Sequence, residues 1–576
     1  MKTAALLLLA CAALSASRPP LASASADAPP ALAQDAQVGE LVDRGRALIA
    51  EGRGEEARAL LEEADRLDGG ALRTRMWLVR ALIEVSYLND ALDMTDALAT
   101  AGNGGADMDY LYGMAFAYKA RQYIAQGVDL STVGTHFADA VAYLGAATQA
   151  DPSKYGDAYL PLAEAAWNSQ RLDIARDAVQ RAVVLSGGGA AESFMLGEVA
   201  FSQFVAANAD AALAEEADAH WQTAFEAFQA AAAAETAAGA EGDSARLARA
   251  HKKSGDALVW KGRAEEAAQQ YALAMGEDPG SIPYDQILGS LGPESFRAAL
   301  EAAALVCAKR IEPEDPSNAA LLWWLGWARF STKDYDPARE AFESSYAKWP
   351  AYANCQWYIA LCRFHRQDKD GALESLLQYQ REDPGGLVAA INGNPALYLN
   401  ILEGLVGHCM SQGRLVDAGR LCAAQANAAP ETTRYWNNVG LFYRDAGDEL
   451  GRDRKEAADP ETQQKYYEKA LEGYERALAL EPENPALLND TAVVLHYCLE
   501  RELERAGEMY KRSTEWAKIE LARADLTPDE RELFQTALKD SQNNLKRLEE
   551  LRRRRAREAG KDAGAGEDPA RKRSGR

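Results

Sequence analysis

Small and bulky apolar residues return along this chain at a fixed interval. Ala338 and Pro350 recur as Ala372 and Pro384, each 34 residues further on. Within one interval the pattern predicts two antiparallel helices of roughly 14 residues each. The first helix carries a small residue at position 8. The second carries Ala at position 20, a bulky residue at 24 and often Ala at 27, and a Pro at 32 ends the unit. Two helices can approach closely only where small side chains face each other; bulky ones then fill the gaps, and Pro stops the second helix. With the second-helix alanine as the frame, Ala57, Ala91, Ala140, Ala175, Ala224, Ala267, Ala338, Ala372, Ala418 and Ala470 mark ten units. Position 8, which did not set the frame, is Gly or Ala in eight of them and Val79 or Val406 in the other two. Position 32 is Pro in six units: Pro152, Pro279, Pro350, Pro384, Pro430 and Pro482. Unrelated hairpins would not share both features.

The best-preserved unit begins at Ala319 and reads Leu325-Gly326, Asp334-Tyr335, Ala338, Phe342 and Pro350. A second begins at Thr433, with Trp436, Gly440, Tyr443, Ala470, Tyr474, Ala477 and Pro482; a third has Gly255, Ala267, Tyr271, Ala274 and Pro279. Over about residues 38–520 the chain resembles the tetratricopeptide repeat (TPR) family. The resemblance implies an all-α fold: a TPR-type α-solenoid, a right-handed superhelix of helical hairpins with insertions and a C-terminal capping helix. It also implies a scaffold or adaptor that gathers protein or peptide partners in a superhelical groove.

The departures from the repeat shape the expected organisation. Units starting at Ala106 and Ala190 carry about fifteen extra residues, and the unit at Thr433 about eighteen. Residues 282–318 fit no unit: Gly289, Gly292, Pro293, Pro313 and Pro316 punctuate a single helix expected over 294–311. We therefore expect a signal peptide at 1–26, a disordered leader at 27–37, and a first repeat block at 38–281. A spacer or hinge follows at 282–318, then a second block at 319–520, a capping helix at 521–559 and a disordered basic tail at 560–576.

The leader bears on localisation. Lys2 precedes an apolar stretch at 4–14, and Ala22-Ser23-Ala24 or Ala24-Ser25-Ala26 offers a cleavage site. A competing reading takes Leu8-Leu9-Ala10-Cys11 as a lipobox, with Cys11 acylated and the protein tethered. Either way the expectation is a periplasmic or secreted bacterial protein. Charge changes the picture further. The 576 residues hold 87 acidic and 63 basic side chains, a net of −24, which argues against a duplex nucleic-acid binder. Residues 546–576 alone carry twelve basic and six acidic groups, a net of +6, so 27–545 stand at −32. The tail could meet anionic lipid, or bind nucleic acid or another acidic polymer; the acidic body favours basic partners.

Catalytic motifs are missing: there is no phosphate loop, nucleophile elbow, zincin motif or haem-attachment site. No catalytic residue, metal, cofactor or small-molecule substrate is expected. Ser345 and Lys348 spell S-x-x-K without companion motifs, and Gly187-Gly188-Gly189 falls where a turn is required. Cys362 and His365 form C-x-x-H, with His408-Cys409 about one repeat on, yet both cysteines occupy packing positions. Cys409 and Cys422 sit on facing helices of one unit, either as a disulfide or as two buried thiols.

One functional surface follows from the resemblance, since TPR grooves are lined by positions 2, 5, 9, 12 and 13 of each first helix. In the unit at Ala319 these give Trp323, Trp327 and Phe330; in the next, Asn354, Trp357, Phe364 and His365. Five aromatics there would form an apolar floor for an amphipathic helix or extended peptide, unless they pack into the hairpins themselves. The unit at Thr433 offers Arg434, Asn437 and Arg444 as a polar neighbour.

Overall fold

The computed structural model describes residues 30–310, 316–452 and 459–565. The signal region, Cys11, residues 27–29 of the expected leader and residues 566–576 of the tail lie outside them; residues 30–37 of that leader and 560–565 of the tail, expected to be disordered, are helical. Among the described residues there are helices and turns and no strand. The chain forms two compact units, 1–270 and 271–576.

In the first unit, six hairpins follow one another. They are α1 (Pro30–Ala50) with α2 (Gly54–Asp68), α3 (Leu72–Glu84) with α4 (Leu88–Thr100), and α5 (Ala106–Ala125) with α6 (Leu130–Ala150). Then come α7 (Tyr159–Asn168) with α8 (Leu172–Ser186), α9 (Ala190–Ala207) with α10 (Ala214–Ala238), and α11 (Ser244–Trp260) with α12 (Ala264–Glu277), within which the first unit ends. The second unit continues with α13 (Tyr284–Leu291), α14 (Pro293–Arg310), α15 (Ala319–Ser331), α16 (Tyr335–Lys348), α17 (Asn354–His365) and α18 (Lys369–Glu382). A further helix, α19 (Pro384–Gly393), precedes α20 (Pro395–Ser411), α21 (Leu415–Ala428), α22 (Thr433–Arg452) and α23 (Pro460–Leu480). The chain closes with α24 (Pro485–Val493), a π-helical turn (Val494–Cys498), α25 (Leu503–Leu521) and the long α26 (Pro528–Ala565), which packs on α24 and α25.

The packing rule read from the sequence is visible atom by atom. All ten position-20 alanines are completely buried. A Cβ added to the position-8 glycines Gly45, Gly113, Gly197, Gly326 or Gly440 would lie 2.5–2.9 Å from Leu61, Leu144, Phe228, Phe342 or Tyr474. Each of those partners is the position-24 residue of the same unit. Where position 8 is Val79 or Val406, position 24 is Thr95 or Cys422, both fully buried. Volume is thus held nearly constant across the hairpin, as dense packing requires.

Hairpins also share one turn. Gly52, Ser86, Gly127, Gln170, Gly262, Lys333, Gln367 and Gly413 all have φ between +58° and +73°. At each of the eight, its own N–H donates to a carbonyl three residues back; the next N–H donates to one five residues back, as Arg53 does to Leu48 and Asp334 to Arg329. This is the Schellman stop, which satisfies the last carbonyls of the first helix before the chain reverses.

The extra residues of the enlarged units lengthen both helices of the pair. α5 and α6 have 20 and 21 residues, and α9 and α10 have 18 and 25. Residues 282–318 hold two helices where the sequence suggests one, and α14 buries Phe296, Leu300 and Ala303. No helix among the described residues is long and apolar enough to cross a membrane.

Candidate functional site: a tyrosine-lined cleft beside an inserted helix

Two Asx-Pro steps create the site. Asp383 and Asn394 each cap the following helix with a side-chain oxygen, accepting from Gly386 N–H at 2.8 Å and Leu397 N–H at 3.4 Å. Pro384 and Pro395 occupy the first helical positions, where no N–H is needed. The result is α19, ten residues inserted between α18 and α20. Leu387 and Ile391 anchor it in the core, and small residues (Gly386, Ala389, Ala390 and Gly393) line its opposite side. Gly386 has to be glycine: a Cβ there would meet the Asp383 carboxylate and, at 2.7 Å, the Tyr379 hydroxyl.

Between α19 and the starts of α17 and α20 lies a cleft of about 620 Å³. Four tyrosines line it: Tyr352, Tyr358, Tyr379 and Tyr398. Among the described residues none of their hydroxyls has a hydrogen-bond partner within the chain. Trp357 forms part of the floor, meeting Tyr398 edge to face with ring centroids 4.9 Å apart. Burial pushes the Tyr379 phenol up to about 12, with the Asp383 charge adding to the rise, and burial raises Tyr358 and Tyr398 as well. All three phenols therefore stay protonated at neutral pH and can donate. Asn354 also lines the cleft; its amide oxygen accepts from Trp323 Nε1 at 3.1 Å, and its amide N–H groups have no hydrogen-bond partner among the described residues.

The residues expected from the sequence are distributed differently. Trp357 and Asn354 belong to the cleft, but Trp357 is only 4% exposed. Trp323 packs edge-on against Phe342 and Tyr358, and Trp327 against Trp324. Phe330 lies between Tyr335 and Tyr358, while Phe364 meets His365, which stacks on Tyr335 at 4.6 Å. These rings fill the joints between successive hairpins, with part of each still in solvent. Arg434 pairs with Glu403 of α20 and lies over the Tyr435 ring, Asn437 is half-buried, and Arg444 turns to Asp445 at 2.9 Å. None of the three lines the cleft.

Cys409 and Cys422 are both buried free thiols, so the disulfide alternative is not the one the structure adopts. Cys422 is the small position-24 partner of Val406, a packing role that explains it. Burial lifts the Cys409 thiol to about 11 and Cys422 to about 12. Ser345 is fully buried and donates to the Ala319 carbonyl at 2.8 Å, tying the two helices of its hairpin together. Gly187 and Gly188 have φ of 77° and 88° and form the turn between α8 and α9. His408 pairs with Asp370 at 2.8 Å, and no group of three or more His, Cys, Asp or Glu among the described residues is placed to hold a metal ion. Of the basic block at 552–555, Arg552, Arg553 and Arg555 pair with Glu504, Glu549 and Glu500 of the same chain.

The tetratricopeptide repeat profile matches residues 294–353 and 334–386, the stretch that holds α14–α18 and leads into the cleft. No curated protein matches the chain. Among solved structures, it is similar to the TPR domain of P58(IPK), at 14% identity over 76% of this chain and 98% of that one, with a TM-score of 0.18. Yeast Tom70 is 13% identical over 89% and 97% of the two chains, with a TM-score of 0.20. The pilF protein of Pseudomonas aeruginosa is 18% identical over 40% and 92%, with a TM-score of 0.21. The hairpin recurs with one packing rule and one turn, and residues 294–386 within that series match the tetratricopeptide repeat profile.

Proposed function

We propose that the chain is an exported, non-catalytic scaffold that binds a peptide segment of a partner protein in the tyrosine cleft. The observation that carries this reading is the set of four phenol hydroxyls without protein partners in one cleft. Tyrosine rings offer rigid apolar area at small entropic cost, and their hydroxyls supply directed hydrogen bonds to a peptide backbone. The Asn354 amide and the Asp383 carboxylate in the cleft lining fix polarity at the ends of the bound segment. The Trp323, Trp327, Phe330 and Phe364 rings support that floor from behind by locking neighbouring hairpins together.

Affinity capture with the full chain tests the assignment against Tyr352→Ala/Tyr398→Ala. Tyr352 is 37% exposed and Tyr398 half-buried, so the helical fold should survive, and circular dichroism checks that it does. The partners held by the native chain should be lost; their recovery in equal amount from the variant overturns the proposal. Export is tested separately by the mature N-terminus. A start at Ser25 or Asp27 supports cleavage, a lipid mass on Cys11 supports tethering, and an unprocessed Met1 overturns export.

A further inference from the structure

The second helices α18, α21 and α23 enclose another cleft of about 420 Å³, floored by α22 and sharing no lining residue with the tyrosine cleft. Four basic side chains converge on it: Arg381, Arg420, Lys469 and Arg476. A single carboxylate, Glu472, lies among its lining residues. In a chain of net charge −24 such local reversal is unexpected. Two of the cations are held against aromatic faces, with Arg476 4.7 Å from the Trp436 ring centre and Lys469 5.0 Å from that of Tyr443. The rings are themselves fixed: Trp436 Nε1 donates to the Pro430 carbonyl at 2.9 Å, and Tyr443 is buried.

The ion pairing is incomplete. Arg476 is shared with Glu472 at 3.0 Å and Arg420 with Asp417 at 3.4 Å. Arg381 and Lys469 are exposed and pair with no carboxylate among the described residues. Such a cleft supplies two unneutralised charges, two half-neutralised ones and a flat aromatic floor.

We infer that this cleft is a second binding site, and that it takes a short acidic peptide of a partner protein. Carboxylates spaced along an extended strand would meet Arg381 and Lys469 as charge-assisted hydrogen bonds, with apolar side chains resting on Trp436 and Val439. A membrane or a nucleic acid carries its charge far beyond a cleft this small and would be repelled by a chain of net charge −24. A short peptide presents its carboxylates only where the cations are.

The test is fluorescence anisotropy with the full chain and a labelled peptide of alternating Glu and Gly, beside its Gln counterpart. The Glu peptide should bind, weaken as salt is raised, and exceed the Gln peptide by at least about tenfold. Arg381→Glu/Lys469→Glu, both exposed positions, should weaken it by at least about tenfold, and Arg381→Gln alone by less. Lys511→Glu, an exposed cation of α25 outside the cleft, should change nothing. Absence of binding, equal affinity for the Gln peptide, or indifference to the double charge reversal overturns the site. An oligonucleotide of equal charge binding as tightly overturns its assignment to peptides. Because Arg381 and Lys469 do not line the tyrosine cleft, failure here leaves that reading standing.

Discussion

The two units obey one packing rule and bury different chemistry. In the first, charges are taken inside as pairs. Glu198 and Lys253 meet at 2.8 Å with the carboxylate side chain 7% exposed, Glu235 meets Arg246 at 3.2 Å at 5%, and Arg80 meets Glu84 at 3.2 Å with the guanidinium at 8%. The second unit holds all six cysteines found among the described residues, five of them buried, and the connected run of rings from Tyr284 to His365. Both clefts described above also belong to it. The comparison separates what makes the hairpin from what makes a site. Positions 8, 20 and 24 and the turn follow the same rule in both units, so the clefts are built from positions the rule leaves unspecified and, for the tyrosine cleft, from a helix added between repeats.

High pH should part the two units most strongly. Burial pushes the thiols of Cys355 and Cys409 up to about 11, and those of Cys362, Cys422 and Cys498 to about 12, from an ordinary 9. A folded-state pKa above the unfolded value gives stability that is complete below pH 9 and lost as pH climbs toward 11–12. Thiolate absorbance should therefore appear together with loss of helicity, and hydrogen exchange should place that loss in the second unit first. Thiolates forming near pH 9 with the helices intact would break the contrast.

Next in size is Lys253→Met in the first unit, which strands the Glu198 carboxylate and should cost about 3–5 kcal/mol. Adding Glu198→Gln should return most of it, measured by thermal unfolding; a loss under about 1 kcal/mol for the single variant would mean the pair is solvated.

The shared rule can be attacked through Gly113→Val, which drives a side chain into Leu144 and should cost up to about 3 kcal/mol. Leu144→Thr in the same chain rebuilds the Val79–Thr95 arrangement and should recover part of the loss. Strict additivity in the double-mutant cycle would show that positions 8 and 24 are not coupled. The smallest effect is expected at the turn. Lys333→Gly and Gln367→Gly relieve a left-handed backbone and should each stabilise by a few tenths to about 1 kcal/mol. A destabilisation at either would mean that its side chain contributes more than the strain removes.

Much of this was legible in the sequence because the hairpin is governed by volume at a few fixed positions. Gly326 against Phe342 can be read off letters alone. The aromatic residues were harder. Counting positions places Trp323 in the groove, but an indole at that point is long enough to reach the next hairpin, and Tyr358 is there to receive it. The cleft tyrosines sit at positions to which the groove pattern assigns nothing. α19 was missed because ten residues show too little periodicity, although Asp383-Pro384 and Asn394-Pro395 are two helix-start signals eleven residues apart. The basic cleft is assembled from three helices whose sequence neighbourhoods are individually unremarkable in charge.

The turn that ends the first helix has a consequence for how the molecule is made. Its two hydrogen bonds close over three and five residues, so the reversal completes itself from local chain alone. Each hairpin can then collapse onto its own Gly and Ala surface as soon as its second helix exists, with no wait for distant sequence. Such a chain is suited to vectorial folding, gaining order from one end to the other as it emerges from whatever delivers it.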